Sequence, residues 1–181
     1  MTPEQHLETG CTAASYIGET SAMQGGQASH SLIVVNVVSG LRRLLRSTPH
    51  LTFISGMRTQ AGSALYLYPD AIVVCGKPQY LDARQDVLLN PTLVVEVLSP
   101  STESFDRGRK FAYYRTIDSL QDYLMVSSER ISAELYTRQP DGRWVLTAAD
   151  QPRDSIEIPS IGCILTLAAL YEKVDFPTPE P

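Results

Sequence analysis

Hydrophobic and polar positions along this chain follow two periods in turn. From Ser29 or Ser31 onward, Ile33, Val37, Leu41, Leu44 and Leu45 recur every three to four residues, which predicts an amphipathic helix ending ahead of Pro49. Arg42, Arg43 and Arg46 crowd its last turns, where cations suit the helix dipole. A short strand is expected through Tyr16 to Glu19, and Gly25-Gly26 marks a turn. Leu51 to Met57 reads as a strand. Pro69 opens another through Asp70 to Val74, a strand position that tolerates proline. Asn90-Pro91 leads into a third apolar run, Leu93 to Leu98. A second helix is predicted from Ser104 to Thr116, then a strand from Asp122 to Val126. Ala133 to Thr137 and Arg143 to Thr147 flank Pro140-Asp141-Gly142 as a hairpin. Ser155 to Ile158 is a short strand, and Leu165 to Tyr171 a terminal helix. Helix, strands, helix, then more strands predicts an α/β domain with one mixed sheet and helices on its faces.

Two polar residues break the apolar strands. Glu96 stands inside Leu93-Val94-Val95-Glu96-Val97-Leu98, and Asp70 inside Tyr68-Pro69-Asp70-Ala71-Ile72-Val73-Val74. An ionised carboxylate in an apolar setting costs several kcal/mol unless a cation pairs with it. Acids set into neighbouring apolar strands suit a hard divalent ion such as Mg²⁺. Side chains alternate along a strand, so Glu96 shares a face with Val94 and Leu98, and Asp70 comes from the preceding strand. The following helix could bring Lys110 alongside. Two acids, a cation that activates water and an ammonium that stabilises phosphate charge compose a phosphodiester hydrolase.

Composition bounds this reading. With 181 residues, 43% hydrophobic and 19% charged, the chain fits one domain with its own core. No run approaches the roughly 18 apolar residues of a membrane span, so no membrane partner is expected. The opening Met1 to His6 lacks a basic-then-apolar leader, which predicts a cytoplasmic protein. Cys11, Cys75 and Cys163 form neither a metal-ligand spacing nor a disulfide framework, and Cys75 reads as a small core residue. A net charge of −5 counts against gripping long nucleic acid by bulk electrostatics but allows a local basic patch. Only Lys77, Lys110 and Lys173 are lysines in a chain that otherwise uses arginine.

The order Pro69-Asp70, then Glu96 in Val94-Val95-Glu96-Val97-Leu98-Ser99-Pro100-Ser101-Thr102, then Asp106-Arg107-Gly108-Arg109-Lys110-Phe111-Ala112-Tyr113-Tyr114-Arg115, resembles the Uma-two family of restriction-endonuclease-like proteins in the PD-(D/E)XK nuclease superfamily. The resemblance runs from about Tyr16 to Tyr171. It implies a restriction-endonuclease-like single domain over 16–172, with a poorly ordered segment at 1–15 and a flexible tail at 173–181. It also implies Mg²⁺ (or Mn²⁺) held by Asp70, Glu96 and the Val97 carbonyl, with Lys110 as the catalytic amine. The superfamily carries its lysine two residues after the second acid. Leu98 stands there in this chain, and Lys110 matches a lysine moved to the next helix. Glu19 and His30 resemble accessory positions of the family. The implied activity is endonucleolytic hydrolysis of DNA, with a homodimer because two cleavage sites suit a duplex, and no small organic cofactor.

Other readings stand beside these. Glu96 could be a structural acid paired with Arg58 or Lys110, Asp70 a turn cap, and Lys110 one end of a solvated bridge to Asp106 four residues earlier. Arg107, Arg109 and Arg115 are a phosphate-contacting edge or a solvated helix face. Tyr113 and Tyr114 read as packing residues, and Ser99 and Ser101 as turn and cap residues. At the level of the whole protein, the alternatives are a catalytically inactive nuclease-fold binding module and a hydrolase of small phosphate esters with a closed pocket.

Overall fold

The computed structural model describes residues 13–16, 19–22, 28–63 and 65–176, with side chains from residue 28 onward. Strands β1 (Ala13–Tyr16) and β2 (Glu19–Ala22) pair antiparallel, so Tyr16 ends one strand and Glu19 begins another, and residues 17–18 of the expected strand lie outside the described residues. Helix α1 (Ala28–Leu44) buries Ser29, Ile33, Val37 and Leu41. Leu45, just beyond its end, is buried, whereas Leu44 is exposed. The Asn36 amide donates to the carbonyls of Leu170 and Glu172, fastening α1 to the end of the chain.

The strand expected through Leu51 to Met57 is divided in two. β3 (His50–Ile54) ends at a turn where Gly56 takes φ +108°, and β4 (Arg58–Ala61) starts afresh beyond it. A side chain would be strained at that φ, so the apolar run cannot continue as one strand. β4 pairs with β5 (Leu65–Leu67) and β7 (Val87–Leu88) in a small separate sheet. β6 (Ala71–Cys75) begins one residue after Asp70. Cys75 at its end is exposed, which corrects the core position expected for it: the apolar run ends at Val74, and Cys75 lies beyond the packed layer.

Strand β8 (Leu93–Leu98) is buried along its whole length. It leads into a helical run made of α2 (Glu103–Phe105), a π-helical turn (Asp106–Lys110) and α3 (Phe111–Tyr114). β9 (Asp122–Ser127) follows, then the hairpin of β10 (Ala133–Arg138) and β11 (Trp144–Ala149). β12 (Ser155–Ile158) and β13 (Cys163–Thr166) form a second hairpin, and α4 (Leu167–Leu170) ends the regular structure. The first part of the expected terminal helix is therefore strand. Residues up to Thr166 pair with β12, and the Thr166 side chain accepts the Ala169 N–H and caps the helix there. Of the expected tail, Val174 and Phe176 pack against the core.

The main sheet has the order β11-β10-β9-β8-β6-β3, with β8 and β9 parallel and every other neighbour antiparallel. A parallel pair needs a crossover, and the helical run between β8 and β9 supplies it. Odd residues of β8 (Leu93, Val95, Val97) pack with α1, the β12–β13 hairpin and α4. Even residues (Val94, Leu98) pack with Phe111, Tyr114, Tyr123 and Met125 on the opposite face. The result is a central mixed sheet with helices on its faces. Glu96 belongs by alternation to the face covered by the crossover helices.

Candidate active site

The last turn of register brings the two acids together. β6 and β8 pair up to Ala71↔Val95, so one step further Asp70 stands opposite Glu96. Pro69 has no N–H to donate, and the ladder stops there. The Asp70 carboxylate takes over: its Oδ2 accepts the Val97 N–H at 2.8 Å. Asp70 keeps a fifth of its side chain exposed, at the C-terminal end of β8. His30, in the first turn of α1, reaches the same oxygen with Nε2 at 3.5 Å. Asp70 holds the imidazole above its ordinary pKa, burial works against this, and the Val97 backbone also favours the protonated ring.

Glu96 is 3% exposed. Lys110 Nζ lies 2.8 Å from its Oε2, and the Tyr114 hydroxyl donates to Oε1 at 3.0 Å. Lys110 Nζ also lies 3.1 Å from Asp106 Oδ1. All three partners are buried, so the Asp106–Lys110 bridge is not the solvated one that four-residue spacing suggests. The helix turns that face toward β8. Burial lifts the Glu96 carboxyl well above the usual carboxylate range. Lys110 opposes this, while Asp106 and Asp70 add to it. Burial, followed by the charge of Glu96, likewise pushes the Tyr114 hydroxyl up. Arg58, the other candidate partner of Glu96, instead pairs with Asp86 and lies over the Tyr66 ring.

The structure thus brings Asp70, Glu96, the Val97 backbone, Lys110 and His30 into one neighbourhood. Sequence reasoning left Asp106 and Tyr114 outside it. Their spacing of four residues on either side of Lys110 is the signal that points to them. Glu19 lies in β2, and its side chain is outside the described residues. Arg107 is committed to two carboxylates, Glu103 Oε1 at 2.7 Å and Glu134 Oε2 at 2.5 Å. Arg109 and Arg115 are exposed, the first near the Tyr113 hydroxyl and the second over the Phe111 ring.

Among the described residues no three His, Cys, Asp or Glu side chains are grouped as a metal site by themselves, so a hard divalent cation here would need a backbone carbonyl and water beside Asp70 and Glu96. Three carboxylates share one field with Lys110, and Asp106 and Asp70 add to the raised proton affinity of Glu96. An added positive charge relieves that repulsion, and oxygen ligands are the kind Mg²⁺ takes. Asp70 is the solvent-facing side of the group. Two clefts of about 540 and 470 Å³ lie elsewhere, and none of Asp70, Glu96 and Lys110 lines either one.

Residues 6–168 match the profile of the Uma2 family, described as "Putative restriction endonuclease". Two uncharacterized proteins of Synechocystis sp. are similar. One, sll1609, is 36% identical over 131 residues, 72% of this chain and 74% of that protein. The other, slr1290, is 36% identical over 160 residues, 88% and 83% respectively. The crystal structure of a putative nuclease belonging to DUF820 from Anabaena variabilis superposes with a TM-score of 0.75. It covers 94% of this chain and 97% of that one at 16% identity, a likeness that bears on fold. With its nuclease-type fold, its profile match over most of its length and these relatives, the chain belongs to the Uma2 family.

Proposed function

We propose that this protein is a Mg²⁺- (or Mn²⁺-) dependent endonuclease that hydrolyses DNA phosphodiester bonds. The observation that carries the reading is the convergence of Lys110 on Glu96 at 2.8 Å, beside an Asp70 that is tied to the very next residue of β8. Asp70, Glu96 and the Val97 carbonyl would hold the ion. When bound, such an ion supplies Lewis acidity and lowers the pKa of a water. Asp70 fixes its own carboxylate through the Val97 N–H. Tyr114 donates to Glu96, and Lys110 would offer its buried ammonium beside Glu96 to a phosphate drawn in past Asp70. His30 is placed to hold or release a proton at Nε2 beside Asp70. DNA is the partner in this reading, with Arg109 and Arg115 exposed on the crossover helices, and two copies of the chain would serve the two strands of a duplex. No described helix is long and apolar enough to cross a membrane, and a cytoplasmic location belongs to the same proposal.

Asp70→Ala tests it. The expected result is loss of Mn²⁺ binding by calorimetry and loss of plasmid cleavage, with an unchanged circular dichroism spectrum. If the variant binds and cleaves like the parent, the enzyme reading fails. One observation favours the rival, a nuclease fold that binds without cutting: both Glu96 oxygens already have protein donors. That rival predicts DNA binding that is indifferent to Mn²⁺ and to Asp70→Ala.

A further inference from the structure

Asp106, Lys110 and Tyr114 follow one another at four-residue intervals. On an α-helix of 3.6 residues per turn, each such step swings the side chain by about 40° around the axis, so three of them fan out over about 80°. Such a fan does not suit three polar groups that must meet one buried carboxylate. In this chain the first interval is a π-helical turn, Asp106–Lys110, and the second is α-helical. A π turn holds more residues per turn, so a four-residue step falls short of a full turn instead of overshooting it. The two drifts oppose, and all three side chains end on the inner face, at 2%, 5% and 0% exposure. The turn is also pinned from across the sheet: the Tyr123 hydroxyl of β9 donates to the Asp106 carbonyl at 3.0 Å.

We propose that Asp106 is a positioning residue, and that the π turn it opens is what allows a helix-borne lysine to serve a strand-borne glutamate. The inference rests on the nuclease reading of Asp70, Glu96 and Lys110. A lysine is a point charge on a long flexible stem, and a single contact leaves it free to swing. Here the ammonium lies between two carboxylates, 2.8 Å from Glu96 Oε2 and 3.1 Å from Asp106 Oδ1, the second an ion pair without hydrogen-bond alignment. Only Glu96 would also have to serve a metal ion. Asp106 is a carboxylate that stays beside the ammonium when Glu96 turns an oxygen to a cation. It keeps Nζ beside Glu96 without itself touching phosphate or metal.

The chain has three lysines, so the Lys110 ammonium can be followed in lysine-labelled protein by NMR at Nζ, apart from Lys77 and Lys173. In the metal-free parent, Lys110 should give a dispersed, slowly exchanging Nζ signal. Asp106→Ala should speed that exchange by about tenfold or more while the backbone spectrum stays folded. Asp106→Asn, which keeps one acceptor oxygen, should restore part of the protection. In Mn²⁺-loaded protein, Asp106→Ala should lower kcat by about 100-fold with KM within about threefold. Should the alanine variant fail to fold, the asparagine variant carries the test, with intermediate exchange and intermediate kcat expected. An unmoved Lys110 signal in a folded Asp106→Ala, or an unchanged kcat, overturns the proposal. A released signal in a chain whose parent cleaves no DNA upholds the positioning role and overturns the nuclease reading.

Discussion

Lys110 is the cation on which two buried acids depend, and its removal leaves both uncompensated. Lys110→Ala should destabilise the metal-free protein by about 3–5 kcal/mol in urea unfolding, because a buried charge without its partner costs more than the pair contributes. Lys110→Met combined with Glu96→Gln and Asp106→Asn should recover most of that loss, since neutral groups of similar size need no counter-charge. A triple variant as unstable as the single one would show that packing, not charge, sets the penalty. At this scale the sequence was partly legible. A glutamate inside a six-residue apolar strand announces an unusual partner, and Lys110 was one of two candidates for it. The choice of lysine over Arg58 was not legible, because β4 lies in a separate sheet and Arg58 is turned to Asp86.

The elements are joined by a few polar ties whose removal can be measured. The Tyr171 hydroxyl lies 2.9 and 2.8 Å from the carbonyls of Ser127 and Ser132 and accepts the Ser132 N–H at 3.0 Å. It thereby joins the end of α4 to the β9–β10 connection. Tyr171→Phe should cost about 1–3 kcal/mol by stranding these backbone groups. Burial pushes the Tyr171 hydroxyl up to about 12. A folded-state pKa above the unfolded value means that this contribution is whole below about pH 10 and fades as pH rises through about 12. Unfolding curves of parent and Tyr171→Phe should therefore converge across that window, and parallel curves would refute the assignment. Arg107, forked between Glu103 and Glu134, ties the crossover helices to β10. Arg107→Ala should cost about 1 kcal/mol, less at high salt, as partly exposed pairs do. The long elements were read correctly from period alone. The small sheet, β13 and the π turn were not, because each is short and is defined by a partner strand or a buried face rather than by its own repeat.

For the whole molecule, a net charge of −5 limits how DNA can be held. Few phosphates can be neutralised, so the logarithm of affinity should fall only gently with the logarithm of salt, at about 0.9 per phosphate contact. Arg109→Ala and Arg115→Ala should each flatten that slope by about one contact in fluorescence anisotropy against salt. Arg107→Ala should leave the slope unchanged, since its guanidinium is already neutralised by two glutamates. A slope that responds to Arg107 and ignores Arg109 and Arg115 would place the DNA on another surface.

By itself the sequence determined the α/β character, the order of the main strands and helices, and that Glu96 would be buried. These follow from periodicity and from the free energy of placing a carboxylate among apolar side chains, both local properties of the chain. Only the tertiary structure decided what that acid meets. The step from Ala71↔Val95 to Asp70 opposite Glu96 depends on strand register, and the aim of Lys110 depends on one π turn pressed against β8. Register and helix rotation are fixed by packing between segments far apart in the chain, so no stretch of sequence states them alone.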